Sequence, residues 1–206
     1  MKQNKKPSFK EEKYLRKNGF KRIVGLDEVG RGAFAGPLVA AAVVLPENFK
    51  TNGIKDSKLL TSKKREELSS YIFKNSISYA ISEVNLIYIN NFGIGKATEK
   101  AFLNCLKILN NKFDFVLIDG YSLKNYNETP QKGIIHGDNI SVSIASASII
   151  AKVYRDNIMR NLHKKYPKYN FLENKGYGTK YHRDALKKYG ISKVHRTSFN
   201  LQKFLD

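Results

Sequence analysis

Two periods of apolar spacing alternate along the chain. RIVGLDEVG at 22–30 is an apolar run closing on acids, and LVAAAVVL at 38–45 is apolar without interruption. Runs of this length read as buried strands, and the short RGAFAGP turn between them makes a hairpin. ISYAISEV at 77–84 alternates as a third strand. FDFVLIDG at 113–120 is a buried fourth strand ending in an acid and a glycine, and GIIHGD at 133–138 is a shorter fifth strand that also ends in an acid. Helical spacing marks a basic arm at 10–18 and the amphipathic TSKKREELSSYIFKN at 61–75. From 93 to 111, Ile94, Ala97, Ala101, Cys105 and Leu109 form one stripe, widened by Phe102 and Leu106. The segment at 141–166 begins small and apolar, fit to lie close against a sheet, and ends charged. A Gly-Tyr-Gly loop at 176–178, a short basic helix at 180–189 and a tail follow. No repeat, low-complexity tract or interdomain linker interrupts the pattern. It predicts an α/β domain, a mixed sheet flanked by helices, with a helical region at the C-terminus.

Length and composition agree with one domain. A chain of 206 residues with 41% hydrophobic content hides about 70% of its unfolded surface on folding, enough for a core without metals or disulfides. Charge changes the picture more. Lys and Arg number 37 against 18 Asp and Glu, a net +19, which points to a polyanionic partner. Residues 1–22 carry a surplus of seven cations and residues 151–206 a surplus of ten, leaving +2 for the 128 residues between. A nearly neutral core with basic ends suits a scaffold whose ends approach phosphates; a solubilising charge, or Lys-rich codon usage, is the alternative. Six of the twelve tyrosines stand among the C-terminal cations, a mixture suited to bases and phosphates and equally to half-buried helices. The single cysteine, Cys105, makes no internal disulfide. No apolar run approaches the roughly 18 residues that span a bilayer, and the first twenty residues lack a signal-peptide core. A cytoplasmic protein without membrane contact is the expectation.

Three predicted strands end in carboxylates: Asp27 and Glu28, then Asp119, then Asp138. Ends of neighbouring strands in an α/β sheet bring distant residues together. Four gathered carboxylates repel one another unless cations neutralise them. With no cysteine cluster and no paired histidine spacing, hard oxygen ligands point to Mg²⁺ or Mn²⁺. For any single acid, capping a turn or pairing with a lysine remains the alternative.

GLDEVGRGAFAGPLVAAAVVL at 25–45 resembles the opening motif of the ribonuclease HII family, enzymes that cut ribonucleotides out of DNA and cleave RNA/DNA hybrids. The similarity continues in KDSKLLT (55–61), VLIDG (116–120), HGDNISVSIASASIIAKVYRD (136–156), NKGYGT (174–179) and VHRTSF (194–199), in family order over nearly the whole chain. The resemblance implies a single RNase H-like catalytic domain over 1–206, with a basic arm at 1–20 and a C-terminal helical, basic substrate-binding region at 160–206. It implies a four-acid metal site of Asp27, Glu28, Asp119 and Asp138. Asp27 would bridge two ions roughly 3.5 to 4 Å apart, one activating water and the other stabilising the leaving oxygen, with 3′-OH and 5′-phosphate products.

By the same resemblance, the main chain of Gly30, Arg31 and Gly32 reads the 2′-OH, and Tyr177 contacts the sugar on the 3′ side of the ribonucleotide. Ser57 and Lys58 are implied phosphate ligands. As residues alone, Gly-Arg-Gly is also a tight turn, Tyr177 a loop side chain folded on the protein, and Ser57 and Lys58 a helix cap. The chain departs from the family in Leu59, where a lysine is usual, and in His136, where a lysine is common. His163, His182 and His195 show no metal spacing and receive no catalytic role. Lys152 and Arg155 match the family helix, as phosphate contacts, partners of Asp156 or solvated charges.

The expected partners are RNA/DNA hybrids and DNA duplexes with embedded ribonucleotides, bound by a monomer. The rivals are a ribonuclease HIII-like hybrid nuclease, a DNA recombination nuclease on the same fold, and a non-catalytic nucleic-acid-binding module. Ribonuclease HIII has a lysine in the glycine loop and an added N-terminal domain, against Arg31 and about twenty residues before the first strand here. The tail SFNLQKFLD ends before a full replication-clamp motif, so a clamp contact is not supported.

Overall fold

The computed structural model describes residues 6–110 and 112–205. Residues 1–5 of the predicted arm, position 111 of the predicted third helix and position 206 of the tail lie outside the described residues. Four strands form where the apolar pattern predicts them, β1 (Ile23–Val29), β2 (Leu38–Val44), β3 (Ser78–Val84) and β4 (Phe115–Asp119), and the fifth, β5 (Gln131–Ile134), shares only Gly133 and Ile134 with the predicted 133–138. They make one mixed sheet in the order β3-β2-β1-β4-β5. β1 is antiparallel to β2 and parallel to β4, which is parallel to β5. Leu26 pairs with Ile118, so the next residues, Asp27 and Asp119, come out at the same edge of the sheet.

Both faces are covered. Helix α3 (Leu86–Leu109) packs with Val24, Leu26 and Ala40 on one side. On the other, α4 (Val142–Lys165) and α2 (Ser62–Asn75) pack with Val39, Ala41 and Val43. Every residue of β2 is buried, which is why it reads as an unbroken apolar run. The small first half of α4 lies directly on β1. A Cβ on Gly25 would fall 2.2 Å from the Ser143 carbonyl carbon, so this crossing requires glycine. Cys105 is buried in the α3 side of the core, where burial pushes its thiol up to about 12.

The structure alters three expectations about the elements. The third helix starts earlier than predicted, capped by the Asn85 side chain accepting from the Tyr88 N–H at 2.9 Å, and breaks at Gly93, whose φ is 79°. The fifth strand ends at Ile134, so Asp138 is not at a strand end. His136 turns left-handed at φ 56°, which stops the extended run, and Asp138 sits on a 3₁₀ turn at Gly137–Asn139 leading into α4. The arm's helix α1 (Lys10–Lys17) is docked on the domain. Glu12 is fully buried, and its Oε1 accepts from Ser141 Oγ at 2.6 Å and Ser143 N at 3.0 Å, holding the start of α4.

The C-terminal region is helical and layered, with α5 (Phe171–Asn174) and α6 (Lys180–Tyr189). It closes over the loop after β1. Phe34 N–H donates to Gly176 O at 2.7 Å, while Gly36 N–H donates to Val194 O at 2.9 Å and Arg196 N–H to Phe34 O at 2.7 Å. The loop at 33–36 is thus sandwiched between two C-terminal segments. Among the described residues no helix is long and apolar enough to cross a membrane.

Candidate active site

A cleft of about 510 Å³ opens at the edge of the sheet where β1 and β4 end. It gathers Asp27, Glu28 and Asp119 with the loop of Gly30, Arg31 and Gly32, the Ser57–Lys58 turn and Tyr177. Asp138 is not on its lining. It is buried alongside, joined to the cleft through Lys58, whose Nζ stands 3.5 Å from Asp138 Oδ2.

The acids sit uneasily together. Asp27 is 4% exposed, and burial, then the charges of Glu28, Asp119 and Asp138, hold its carboxyl well above the usual carboxylate range. Two donors counter this: the Glu28 N–H at 2.7 Å from Asp27 Oδ1, and the Ser148 hydroxyl. Burial and Asp119 push Glu28 up to about 7, and burial and Asp138 raise Asp119, whose Oδ1 accepts from Gly137 N at 2.6 Å. Lys58 answers in kind. Burial alone would lower its ammonium, but Asp138, Asp56 and Asp27 outweigh that and raise it. The site therefore carries more negative charge than its protein surroundings neutralise.

The opposite wall is basic and firmly tied. Arg155, which the sequence left between three roles, is no solvated charge: it is fully buried, feels the charge of Asp156, and donates to Pro37 O at 3.0 Å, Ala35 O at 3.0 Å and Lys175 O at 2.8 Å. Its guanidinium lies 5.5 Å from the centre of the Tyr177 ring, so Tyr177 is backed by a cation on one side and open to the cleft on the other. Arg196, also fully buried, donates to Gly36 O and Arg31 O, each at 3.0 Å. The two loop glycines differ. Gly30 has φ 91°, and a Cβ there would lie 2.2 Å from Arg155 Nε; around Gly32 nothing stands within 4 Å. Gly30 is needed to fold the loop, whereas Gly32 leaves its main chain open to the cleft.

Sequence reasoning missed the supports of the Ser57–Lys58 turn. Ser57 is buried, its Oγ 3.1 Å from Ser148 Oγ, so it braces the floor under Asp27, while Lys58 projects into the cleft with a side chain 77% exposed. The turn is capped by Asp56, which accepts from Lys58 N at 2.9 Å, and not by Ser57 or Lys58 as the residues alone suggested. Arg65 of α2 donates to Ser57 O at 3.1 Å and Leu60 O at 2.6 Å, and shares Asp156 with Lys152, whose Nζ is 2.5 Å from Asp156 Oδ1. Lys152 was legible through the helix motif. Arg65 was not, because nothing in the amphipathic pattern of α2 distinguishes it from its solvated neighbours. Leu60 is core and Leu59 is 48% exposed.

A mixed sheet with acids at the ends of its central strands and a basic loop layer across the cleft defines a nuclease-like architecture, and solved structures share its fold. Ribonuclease H2 from Pyrococcus horikoshii OT3 superposes with a TM-score of 0.74 at 25% identity, covering 89% of this chain and 97% of that one. Bst-RNase HIII in complex with Mn²⁺ gives 0.70 at 18% identity, covering 89% and 68%, a likeness of fold alone. The fold is RNase H-like. The ribonuclease HII family model matches residues 24–202. A ribonuclease HII from Desulfitobacterium hafniense is 47% identical over 191 residues, 93% of this chain and 73% of the relative. The chain belongs to the ribonuclease HII family, and is an RNase H type II endonuclease, which removes the binding-module and recombination-nuclease alternatives.

Proposed function

We propose that the protein nicks DNA duplexes on the 5′ side of embedded ribonucleotides and cleaves the RNA strand of RNA/DNA hybrids, with Mg²⁺ or Mn²⁺ held by Asp27, Glu28, Asp119 and Asp138. The observation that carries this reading is the pairing, in one cleft, of an under-neutralised acid cluster with an open glycine main chain and a cation-backed tyrosine.

The donor set fits a hard divalent ion: all four groups are carboxylates, and their mutual repulsion is what such an ion relieves. Among the described residues no three His, Cys, Asp or Glu side chains already close into a cage, so the support is electrostatic. A bound ion supplies Lewis acidity, activating water and stabilising the leaving 3′ oxygen so that the products carry 3′-OH and 5′-phosphate ends. The protein's own groups do the rest. Lys58, exposed beside Asp138, is placed to meet a phosphate. The main chain of Gly30, Arg31 and Gly32, unobstructed at Gly32, is placed to hydrogen-bond a 2′-OH, which both donates and accepts. Tyr177 closes the cleft against the neighbouring sugar.

The test is cleavage of a duplex containing one ribonucleotide, with Mg²⁺, with Mn²⁺ and with chelator. A single nick 5′ of the ribonucleotide, dependent on the ion, is expected. Cutting of the all-deoxy duplex at a comparable rate, or full activity in chelator, would overturn the reading.

A further inference from the structure

Two buried histidines have no part in the site described so far. His182 on α6 and His195 in the C-terminal segment are 0% and 1% exposed, with their Nε2 atoms 3.0 Å apart. Aromatic rings enclose them: Tyr169 lies 4.8 Å from His195 and Phe171 5.4 Å from His182, centre to centre. Rings that meet through the same atom must be opposite in protonation there, one donating and the other accepting.

Both ends of the pair decide which. At one end the Ser192 N–H donates to His195 Nδ1 at 2.9 Å; at the other, His182 Nδ1 lies 2.9 Å from the Tyr177 carbonyl oxygen. A backbone N–H only donates and a carbonyl only accepts. His195 therefore carries its proton on Nε2 and His182 on Nδ1, and each end independently demands the same polarity. The chain of bonds runs one way, from Ser192 through His195 and His182 to the Tyr177 carbonyl. An added proton on either ring would set two N–H groups face to face, and burial holds both imidazoles below their ordinary range, His195 at about 4.

We propose that this His195–His182 relay is a positioning device for Tyr177, fixing its main chain so that its ring stands in the cleft against the substrate sugar. The proposal rests on the reading of Tyr177 given above. The segment needs such a device, because Lys175 and Gly176 before Tyr177 are both left-handed, at φ 51° and 83°, and no regular element carries them. Its other ties hold the residues around it: Phe34 N–H donates to Gly176 O, Arg155 to Lys175 O and Arg183 of α6 to Gly178 O, while the Tyr177 carbonyl itself accepts only the local Thr179 N–H besides His182, among the described residues.

Imidazole ¹⁵N spectra of the wild-type protein should show the Nδ1–H form of His182 and the Nε2–H form of His195; the reverse tautomers would overturn the relay. His182→Phe, which fills the space without a donor, should lower kcat/KM on a single-ribonucleotide duplex relative to a continuous hybrid by about tenfold, the equivalent of one net hydrogen bond. Tyr177→Ala should shift the same ratio, and the double variant should add nothing to it. His182→Asn places an amide N–H where Nδ1 stands and should keep the ratio; His182→Gln places it at the Nε2 position and should lose it. That pair decides the matter even where His182→Phe fails to fold. Equal ratios for the Asn and Gln variants, an unchanged ratio in folded His182→Phe, or additive effects with Tyr177→Ala would sink the proposal. An unchanged ratio in Tyr177→Ala alone would instead sink the reading of Tyr177, while the tautomers would still report on the relay.

Discussion

The floor of the cleft and the loop layer facing it are stabilised in opposite ways. On the floor, Asp27, Glu28 and Asp119 are set by the ends of β1 and β4, and their charges repel. In the loop layer, Arg155, Arg196, His182 and His195 are just as buried, yet they spend their donors on main-chain carbonyls or on each other. The rigid sheet can hold unfavourable charges in place because its apolar core stabilises it independently of them. The loop layer has only a small apolar cluster of its own, around Ala35, Met159, Tyr169, Phe171 and Leu186, so its shape depends also on its buried hydrogen bonds. One surface is thereby rigid and holds repelling charges, and the other is tied together by buried hydrogen bonds, with Arg196 Nη2 left without a hydrogen-bond partner among the described residues.

Substitutions should separate the two, beginning with the largest effect. Asp27→Asn should lower cleavage by more than the roughly 100-fold that loss of a mere supporting group around a metal costs. The metal-free variant should also melt higher than wild type, because a buried, repelled carboxylate is gone. Activity within tenfold of wild type would remove Asp27 from the site.

The two glycines of one loop should fail differently. Gly30→Ala places a side chain at positive φ and against Arg155, so thermal melting should drop by several degrees, about 1 kcal/mol or more. Gly32→Ala meets nothing within 4 Å; melting should stay put while KM for ribonucleotide-containing duplex rises. Matching losses of stability would erase the distinction between a folding glycine and a reading glycine.

Tyr177→Ala should reduce cleavage of a single-ribonucleotide duplex more than that of a continuous hybrid, because only the former always presents a deoxyribose beside the cut site. The measured quantity is the ratio of kcat/KM on the two substrates, and equal losses would deny Tyr177 that role.

The smallest effect is on stability against pH in chelator. Glu28, at about 7, binds protons more tightly folded than unfolded, so it contributes a stability that falls as pH rises from about 4.5 to about 7; Asp27 and Asp119 act in the same direction. His195, at about 4, is buried neutral and contributes a stability that rises as pH climbs from about 4 to 6.5. The two regions therefore oppose each other in one window. Chemical denaturation at pH 5 and 6.5 should show Glu28→Gln gaining more stability with pH than wild type, and His195→Gln gaining less. Identical slopes in the two variants would refute the opposition.

Much of this molecule is determined by its sequence alone. The apolar runs of β1, β2 and β4 specify those strands because a strand buried on both faces tolerates little else, and the acids at the ends of β1 and β4 are legible as a site because a polar residue closing such a run has nowhere to go but the sheet edge. Local pattern also places α2, α4 and α6 within a residue or so. Tertiary structure decided the rest. Asp138 moved from a strand end to a turn because the left-handed His136 ended β5 early, a backbone choice that no apolar period records. Arg155 and Arg196 stand in motifs legible in the sequence, but only the packing of the 33–36 loop between residues 176–177 and 194–196 shows them buried on carbonyls. His182 and His195, thirteen residues apart with no ligand spacing, gain their meaning from a 3.0 Å contact. Apolar burial has a period along the chain and is therefore visible in it; a hydrogen bond between distant loops has none, and exists only once the fold has brought donor and acceptor together.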